Sequence, residues 1–139
     1  MIRRANRDDV LAIYNLDSKT FSDSLPMSLI ENDLSNNPNA YYFVAVENEE
    51  IIGYIGSWIY DNTEILNFCV DERFRNNGIG KQLFHELNKV SIGVITLEVR
   101  ETNLGAIRFY ERQGFVKALI RKNYYSNGDN AILMSKEWL

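Results

Sequence analysis

A short segment with two glycines is the part of the sequence best suited to hold an anion. It reads Arg75-Asn76-Asn77-Gly78-Ile79-Gly80-Lys81. Gly78 and Gly80 carry no Cβ atom, so an anion can approach the backbone N–H groups there. If a helix starts in this segment, its free N–H groups and positive dipole end point at the same place, and Arg75 and Lys81 add charge. The segment predicts a pyrophosphate site, with the alternative of a helix start that happens to contain two glycines.

One carboxylate interrupts an apolar stretch further along the chain. Glu98 lies among Val94, Ile95, Leu97 and Val99. Burying a carboxylate costs free energy unless it is paired with a cation or takes part in chemistry. The sequence therefore predicts either a functional carboxylate or a structural ion pair, formed with Arg100 or with a residue of a neighbouring strand.

The chain contains one cysteine and one histidine. These counts exclude an internal disulfide and an ordinary zinc site, so we expect no metal. Cys69 lies in an apolar stretch and is predicted to be a small buried hydrophobic residue rather than a nucleophile that carries an acyl group. His85 is predicted to lie on the solvated surface of a helix.

The elements that must position these residues follow from hydrophobic periodicity and from turn and cap residues. Strands are expected at residues 2–5, 40–46, 51–60, 63–70, 94–99, 115–120 and 131–138, and helices are expected to start near Asn6, Ser28, Gly78 and Asn103. A polar connection is expected over residues 17–24. The order β-α-α-β-β-β-α-β-α-β-β predicts one domain over residues 1–139, an α/β (α+β) fold with a mixed sheet of about seven strands and about four helices.

The glycine segment resembles the Gln/Arg-x-x-Gly-x-Gly/Ala signature of the GNAT superfamily of N-acetyltransferases. The stretches 66–71, 97–103, 106–110 and 114–115 are similar to the rest of that family's coenzyme site. Residues 121–125 and 129–134 resemble the RimI-type branch, the bacterial ribosomal-protein-alanine N-acetyltransferases. The resemblance implies a GNAT-like fold and an acetyl-coenzyme A-dependent enzyme in which an amine attacks the thioester directly.

The resemblance also implies how the acetyl donor is held. The glycine segment would bind the coenzyme pyrophosphate, and the backbone of Phe68, Cys69 and Val70 would pair with the pantetheine arm, because a strand edge offers free N–H groups. Asn103 would donate or accept a hydrogen bond to the pantetheine. The alternatives are a core strand for residues 68–70 and a simple N-cap for Asn103.

Two further roles are implied for the proton transfers. Glu98 matches the general base of the RimI-type enzymes, and Glu64 is a competing base because many GNAT enzymes keep a glutamate on that strand. Tyr110 resembles the family's general acid, which protonates the departing thiolate, and its alternative is a core aromatic residue. A phenol with a pKa near 10 can donate to a thiolate whose thiol has a pKa near 8.5.

Net charge and hydropathy limit the classes of partner that the chain is expected to bind. The formal net charge is −4, whereas nucleic-acid binding needs a basic surface, so no direct nucleic-acid binding is expected. No apolar run is long enough for a membrane span or typical of a signal peptide, and the chain is predicted to be cytoplasmic. The expected acceptor is a protein or peptide N-terminus, such as that of a ribosomal protein, bound by residues 21–27 and 124–128. Two alternatives remain open, namely a small-amine acetyltransferase and a regulatory module that binds coenzyme A without turnover.

Overall fold

The computed structural model describes residues 1–21 and 24–137. Its strands are β1 (Ile2–Arg4), β2 (Ala40–Glu47), β3 (Glu50–Ile59), β4 (Thr63–Val70), β5 (Val94–Arg100), β6 (Val116–Arg121) and β7 (Ala131–Glu137). Its helices are α1 (Val10–Thr20), α2 (Met27–Asn36), α3 (Ile79–Asn88) and α4 (Leu104–Arg112). This confirms the predicted element order, and Trp138 of the expected last strand lies outside the described residues. None of the helices in the described ranges is long and apolar enough to cross a membrane.

The seven strands form one mixed sheet in the order β1-β2-β3-β4-β5-β7-β6. Every neighbouring pair is antiparallel except β4 and β5, which are parallel. In the described part of the chain, β4 pairs with β5 only at Thr63 with Ile95 and at Glu64 with Thr96. Both strands continue beyond these pairs, so the sheet opens into a gap between the second half of β4 and that of β5.

A β-bulge in β4 changes which side chains face each side of the sheet. Gly56 of β3 pairs with Asn67 and Ser57 pairs with Ile65, so Leu66 is an extra residue in β4. The alternation of side chains shifts by one position there. As a result Phe68 joins the core on the side of α3, whereas Cys69 joins the core on the side of α1.

Two hydrophobic cores cover opposite faces of the sheet. The α3 side is centred on the fully buried Leu83 and Leu87, which lie four residues apart and therefore on one face of that helix. The α1 and α2 side is centred on Ile13 and Ile30. Each fully buried aliphatic side chain contributes about 1.5–3 kcal/mol to folding. The two cores fix the helices that flank the gap.

The first helix departs from the prediction at both ends. Asn6 caps a 3₁₀ turn over Arg7–Asp9 through a capping box with Asp9, and α1 follows that turn. The expected polar connection from residue 17 is wrong at its start, because α1 continues to Thr20. Asp17 is inside the helix and fully buried. Its side chain finds tertiary hydrogen-bond donors, which local polarity does not reveal.

Candidate active site

The glycine segment forms the exposed amino end of α3, as predicted. Asn76 and Gly78 have φ angles of 67° and 78°, so the chain passes twice through the left-handed region before the helix starts. Asparagine tolerates that region and glycine adopts it freely. No side chain caps this end of α3. The first N–H groups of the helix are therefore available to an anion, and the positive dipole end favours one.

The two glycines are required for different reasons. A Cβ atom at Gly78 would have nothing within 4 Å, so this residue leaves open space beside the helix end, and its φ angle explains the glycine. A Cβ atom at Gly80 would lie 2.9 Å from the ring of Phe68 and 3.2 Å from the ring of Phe109. Gly80 thus lets the first turn of α3 pack closely on these two rings. Gly78 instead shapes the end of the helix where an anion would bind, which we call the cradle and define as residues 75–81.

The two predicted cations of the segment have different surroundings. Nε of Arg75 donates a hydrogen bond of 3.1 Å to the carbonyl of Val70, so this side chain is tied to the end of β4. Lys81 lies in the first turn of α3 and is exposed. Both residues are exposed, but only Arg75 is tied to β4 in this way, so Lys81 is the cation that lies in the first turn of α3 itself.

The second half of β4 borders the gap, which is where residues 68–70 were expected to lie. The ring of Phe68 is stacked on Phe109 with 5.5 Å between centroids and meets Phe84 edge-on at 5.0 Å. Cys69 and Val70 are both buried. The side chains thus belong to the two cores while the strand runs along the gap, so packing and a backbone role are compatible.

The thiol of Cys69 has the properties expected of a buried hydrophobic residue. Its exposed fraction is 3%. Burial, with a smaller contribution from the negative charge of Asp17, raises the pKa of Cys69 to about 12. A thiol with this pKa is protonated at neutral pH and is a poor nucleophile. An acyl-enzyme on Cys69 is therefore disfavoured.

Glu98 lies on the face of β5 opposite Leu97 and Val99, with its side chain 27% exposed. Its Oε2 atom is buried and has no hydrogen-bond partner among the described residues. Arg121 of β6 forms an ion pair with Glu98, with its Nε atom 3.5 Å from Oε2. Arg100, the pairing partner considered from the sequence, forms an ion pair of 2.9 Å with Asp129.

The competing base lies on the same face of the sheet. Glu64 is exposed and pairs across the strands with Thr96, two residues before Glu98 on β5. Tyr124 lies near both carboxylates. Burial raises the pKa of Tyr124, and the negative charges of Glu98 and, to a smaller extent, Glu64 raise it further. We call this side of the sheet, defined by Glu64 of β4, Glu98 of β5, Arg121 of β6 and Tyr124 after β6, the open face.

Tyr110 is buried in the aromatic cluster on the other side of the gap. Its ring lies 6.2 Å from that of Phe68 and 6.0 Å from that of Phe84. Burial, followed by Cys69 and Tyr125, raises the pKa of Tyr110 above its ordinary value. The phenol therefore stays protonated near neutral pH.

Asn103 is found at the amino end of α4, apart from this group. Its Oδ1 atom accepts a hydrogen bond of 3.2 Å from the N–H of Ala106, and the residue is exposed. The structure thus shows the N-cap that the sequence offered as an alternative. Contact with a coenzyme stays a prediction for Asn103.

The sequence pattern does not predict the roles of two residues. It does not make Arg121 a neighbour of Glu98, because β5 and β6 come near each other only through β7. It also places Asp17 in a polar connection rather than in α1. A signal for Asp17 was present, since it follows Ile13 by four residues and therefore lies on the apolar face of a continued helix.

Comparison with known proteins assigns the family. Residues 10–115 match the family described as Acetyltransferase (GNAT) family. The chain belongs to the GNAT acetyltransferase family. Among its relatives, an uncharacterized N-acetyltransferase of Methanocaldococcus jannaschii is 34% identical, with 99% of this chain and 91% of that protein covered. A putative [ribosomal protein bS18]-alanine N-acetyltransferase of Bacillus subtilis is 31% identical, with 96% and 92% covered.

The fold of this GNAT protein is shared with solved structures. The crystal structure of Ard1 from Thermoplasma volcanium superposes with a TM-score of 0.91 at 30% identity, over 100% of this chain and 97% of that one. The expected GNAT fold and the expected enzyme class, an N-acetyltransferase with acetyl-CoA as donor, are confirmed. The uncapped end of α3 and the open space at Gly78 fit the anionic part of that donor.

Proposed function

We propose that this GNAT enzyme acetylates the α-amine at the N-terminus of a protein, with a ribosomal protein as the acceptor. The observation that carries the proposal is Glu98, whose buried Oε2 atom lies on the open face without a hydrogen-bond partner in the described ranges. The Glu98 side chain is 27% exposed, so the carboxylate can be reached from the open face, and its unpartnered oxygen suits it to accept a proton from an incoming ammonium group. The Bacillus subtilis relative, a putative [ribosomal protein bS18]-alanine N-acetyltransferase, supports a ribosomal-protein N-terminus as the acceptor.

The residues of the cradle would hold acetyl-CoA, which when bound supplies an acetyl group activated as a thioester. The N–H groups around Asn76, Asn77, Gly78, Ile79 and Gly80 would bind its pyrophosphate, because they are uncapped at a helix start. Lys81 adds an exposed positive charge there.

The remaining donor contacts belong to the gap and its edges. The backbone of Phe68, Cys69 and Val70 would bind the pantetheine arm along β4, and Arg75 keeps the end of that strand in place through Val70. We propose Asn103 as a further hydrogen-bonding residue for the pantetheine at the start of α4.

Glu98 would accept the proton of the acceptor ammonium. An α-amine has an ordinary pKa near 8 and a lysine amine near 10.4, so freeing the lysine amine at pH 7 costs about 3 kcal/mol more. A carboxylate of modest basicity is therefore sufficient for an N-terminus. On the far side of the gap, the protonated Tyr110 would donate its proton to the departing sulfur.

Two tyrosines at and beside the open face would contact a peptide. Tyr124 is 52% exposed and Tyr125 stacks under the guanidinium of Arg100 at 4.0 Å from the ring centroid. Aromatic rings of this kind offer apolar contact and a polar tip to a short peptide. A ribosomal acceptor also places the enzyme in the cytoplasm, which we include in the proposal.

The proposal is tested by comparing acceptors under identical conditions. A peptide that copies the N-terminus of a ribosomal protein should release coenzyme A with a kcat/KM at least about 100-fold above that of spermidine. Equal or reversed values would contradict the proposal and favour a small-amine enzyme. Tight acetyl-CoA binding without turnover on any amine would favour a regulatory module.

A further inference from the structure

A buried carboxylate on α1 joins three separate segments of the chain. Asp17 has no exposed surface. Its Oδ1 atom accepts hydrogen bonds from the Tyr54 hydroxyl at 2.6 Å and from Nδ2 of Asn67 at 2.7 Å, and its Oδ2 atom accepts one from the N–H of Leu25 at 2.8 Å. One side chain therefore links β3, β4 and the connection between α1 and α2.

The contact to β4 is made where that strand borders the gap. Asn67 follows the bulge residue Leu66 and precedes Phe68, the first of the strand residues proposed to hold the pantetheine. While its Nδ2 atom donates to Asp17, its Oδ1 atom accepts a hydrogen bond of 3.1 Å from the N–H of Phe68. The position of the bulge thus depends on a side chain that Asp17 orients.

The hydrogen bond to Leu25 fixes the part of the α1–α2 connection that lies next to α2. Phe21 at the other side of that connection donates its N–H to the carbonyl of Asp17 at 2.9 Å. The side chains of Phe21 and Leu25 pack against the same core as Leu66. Phe21 and Leu25, the described residues on the two sides of the connection, are therefore held near the bulge of β4, the strand that also carries Glu64.

We propose that Asp17 is a positioning residue that couples the acceptor side of the site to the donor strand. The inference rests on the proposed function, because it takes the α1–α2 connection as part of the acceptor site. Asp17 holds that connection through Leu25, and it holds the β4 bulge through Asn67. A fixed geometry on both sides of the reacting groups matters because displacements of about 1 Å can cost about 100-fold in rate.

A carboxylate is needed for this arrangement because both oxygens accept. An amide at the same place has only one acceptor, so its NH₂ group would face either the N–H of Leu25 or the pair of donors on Tyr54 and Asn67. Asp17→Asn keeps the shape of the side chain and must lose at least one of the hydrogen bonds that link the three segments.

The chain offers a matched control. Asp33 of α2 is also buried, and it accepts from the Tyr42 hydroxyl at 2.7 Å and from Nε1 of Trp58 at 2.9 Å. It also accepts from Nδ2 of Asn37 at 3.1 Å. These bonds join α2 to β2 and β3 and do not involve β4 or Leu25, so Asp33→Asn disturbs an equally buried carboxylate without touching the proposed linkage.

The test compares steady-state kinetics of the full-length variants with the ribosomal-type peptide. We expect Asp17→Asn to lower kcat/KM about 30-fold, through both a lower kcat and a higher peptide KM, and Asn67→Ala to lower kcat about fivefold with the peptide KM within about twofold. Asp33→Asn should stay within about twofold in both constants. Equal kinetic losses in Asp17→Asn and Asp33→Asn would overturn the inference.

Amide hydrogen exchange provides a second readout that needs no acceptor. In Asp17→Asn, peptides covering residues 24–26 and 66–69 should exchange at least about tenfold faster than in the wild type, and in Asp33→Asn they should be unchanged. The same exchange pattern in both variants would overturn the inference. Failure of the wild type to acetylate any peptide would instead overturn the proposed function, and the exchange data would still decide the linkage.

Discussion

Oε2 of Glu98 lies 3.5 Å from Nε of Arg121, and although this oxygen is buried it accepts no hydrogen bond from any described residue. The guanidinium is close enough to form an ion pair with the carboxylate but does not donate a hydrogen bond to this oxygen. The oxygen therefore keeps its lone pairs for another donor. An ammonium group of the acceptor is the donor that the proposed reaction brings to this place.

Glu98→Gln removes the proposed base while it keeps the size of the side chain. We expect kcat for the peptide to fall about 100-fold, because general-base catalysis contributes on this order, with the affinity for acetyl-CoA nearly unchanged. Stopped-time assays of coenzyme A release and a binding titration measure the two quantities. Glu64→Gln is the matched control on the same face, and a wild-type rate in Glu98→Gln with a loss in Glu64→Gln would assign the base to Glu64.

Tyr110→Phe removes one hydroxyl from the aromatic cluster and leaves the ring packing in place. We expect kcat to fall by about 10- to 100-fold and the melting temperature to change little. Tyr60→Phe, at an exposed tyrosine outside the site, serves as the control. An unchanged kcat in Tyr110→Phe would show that Tyr110 is only a core residue.

The pH dependence of the same reaction tests the state of that phenol. Burial raises the pKa of Tyr110 above its ordinary value, so the protonated form persists into the alkaline range. We therefore expect kcat to show no loss from phenol ionisation as the pH rises to about 10, the ordinary tyrosine pKa. A decline in kcat near pH 8 that disappears in Tyr110→Phe would contradict this account.

Cys69 should be unreactive as long as the protein is folded. Its pKa is raised to about 12, so labelling by iodoacetamide at pH 8 should be at least about 100-fold slower in the native protein than in urea. Because the folded-state pKa is raised, the stability from the buried thiol is complete below the ordinary pKa near 8.5 and is lost as the pH rises towards 12. Rapid native labelling, or a stable acetyl group on Cys69 after mixing with acetyl-CoA alone, would contradict the direct transfer.

Gly80→Ala tests the close packing of the cradle on the aromatic cluster. The added Cβ atom would lie 2.9 Å from the ring of Phe68, so α3 or the ring must shift. We expect a loss of about 1–3 kcal/mol in the free energy of unfolding and weaker acetyl-CoA binding. Gly105→Ala in α4 is the control, since its Cβ atom would have nothing within 4 Å and alanine favours a helix. Equal stabilities of the two variants would refute this role of Gly80.

The element order was predictable because it depends on local patterns. The apolar spacing of Ile79, Leu83 and Leu87 predicts α3 and its buried face, and Gly114 with a φ of 98° ends the α4 region as expected. The bulge at Leu66 and the gap beside it were not predictable, since both depend on how β3 and β5 pair with β4. Pairing register is set by residues distant in the sequence.

The residues of the candidate site also include some that the sequence predicts and some that it does not. Glu98 stands out in the sequence as a carboxylate among apolar residues, and the structure places it on the open face. Its cationic neighbour Arg121 was not predictable, because β7 lies between their strands. Asp17 was misplaced in a loop because buried hydrogen-bond partners such as Asn67 lie far away in the sequence.

The position of the transferred acetyl group tests the central claim most directly. A peptide with a free N-terminus and one internal lysine is incubated with the enzyme and acetyl-CoA, and the product is sequenced by tandem mass spectrometry. The account predicts one acetyl group on the α-amine and a loss of that product in Glu98→Gln. Acetylation of the lysine, or α-amine product formed by Glu98→Gln at the wild-type rate, would contradict it.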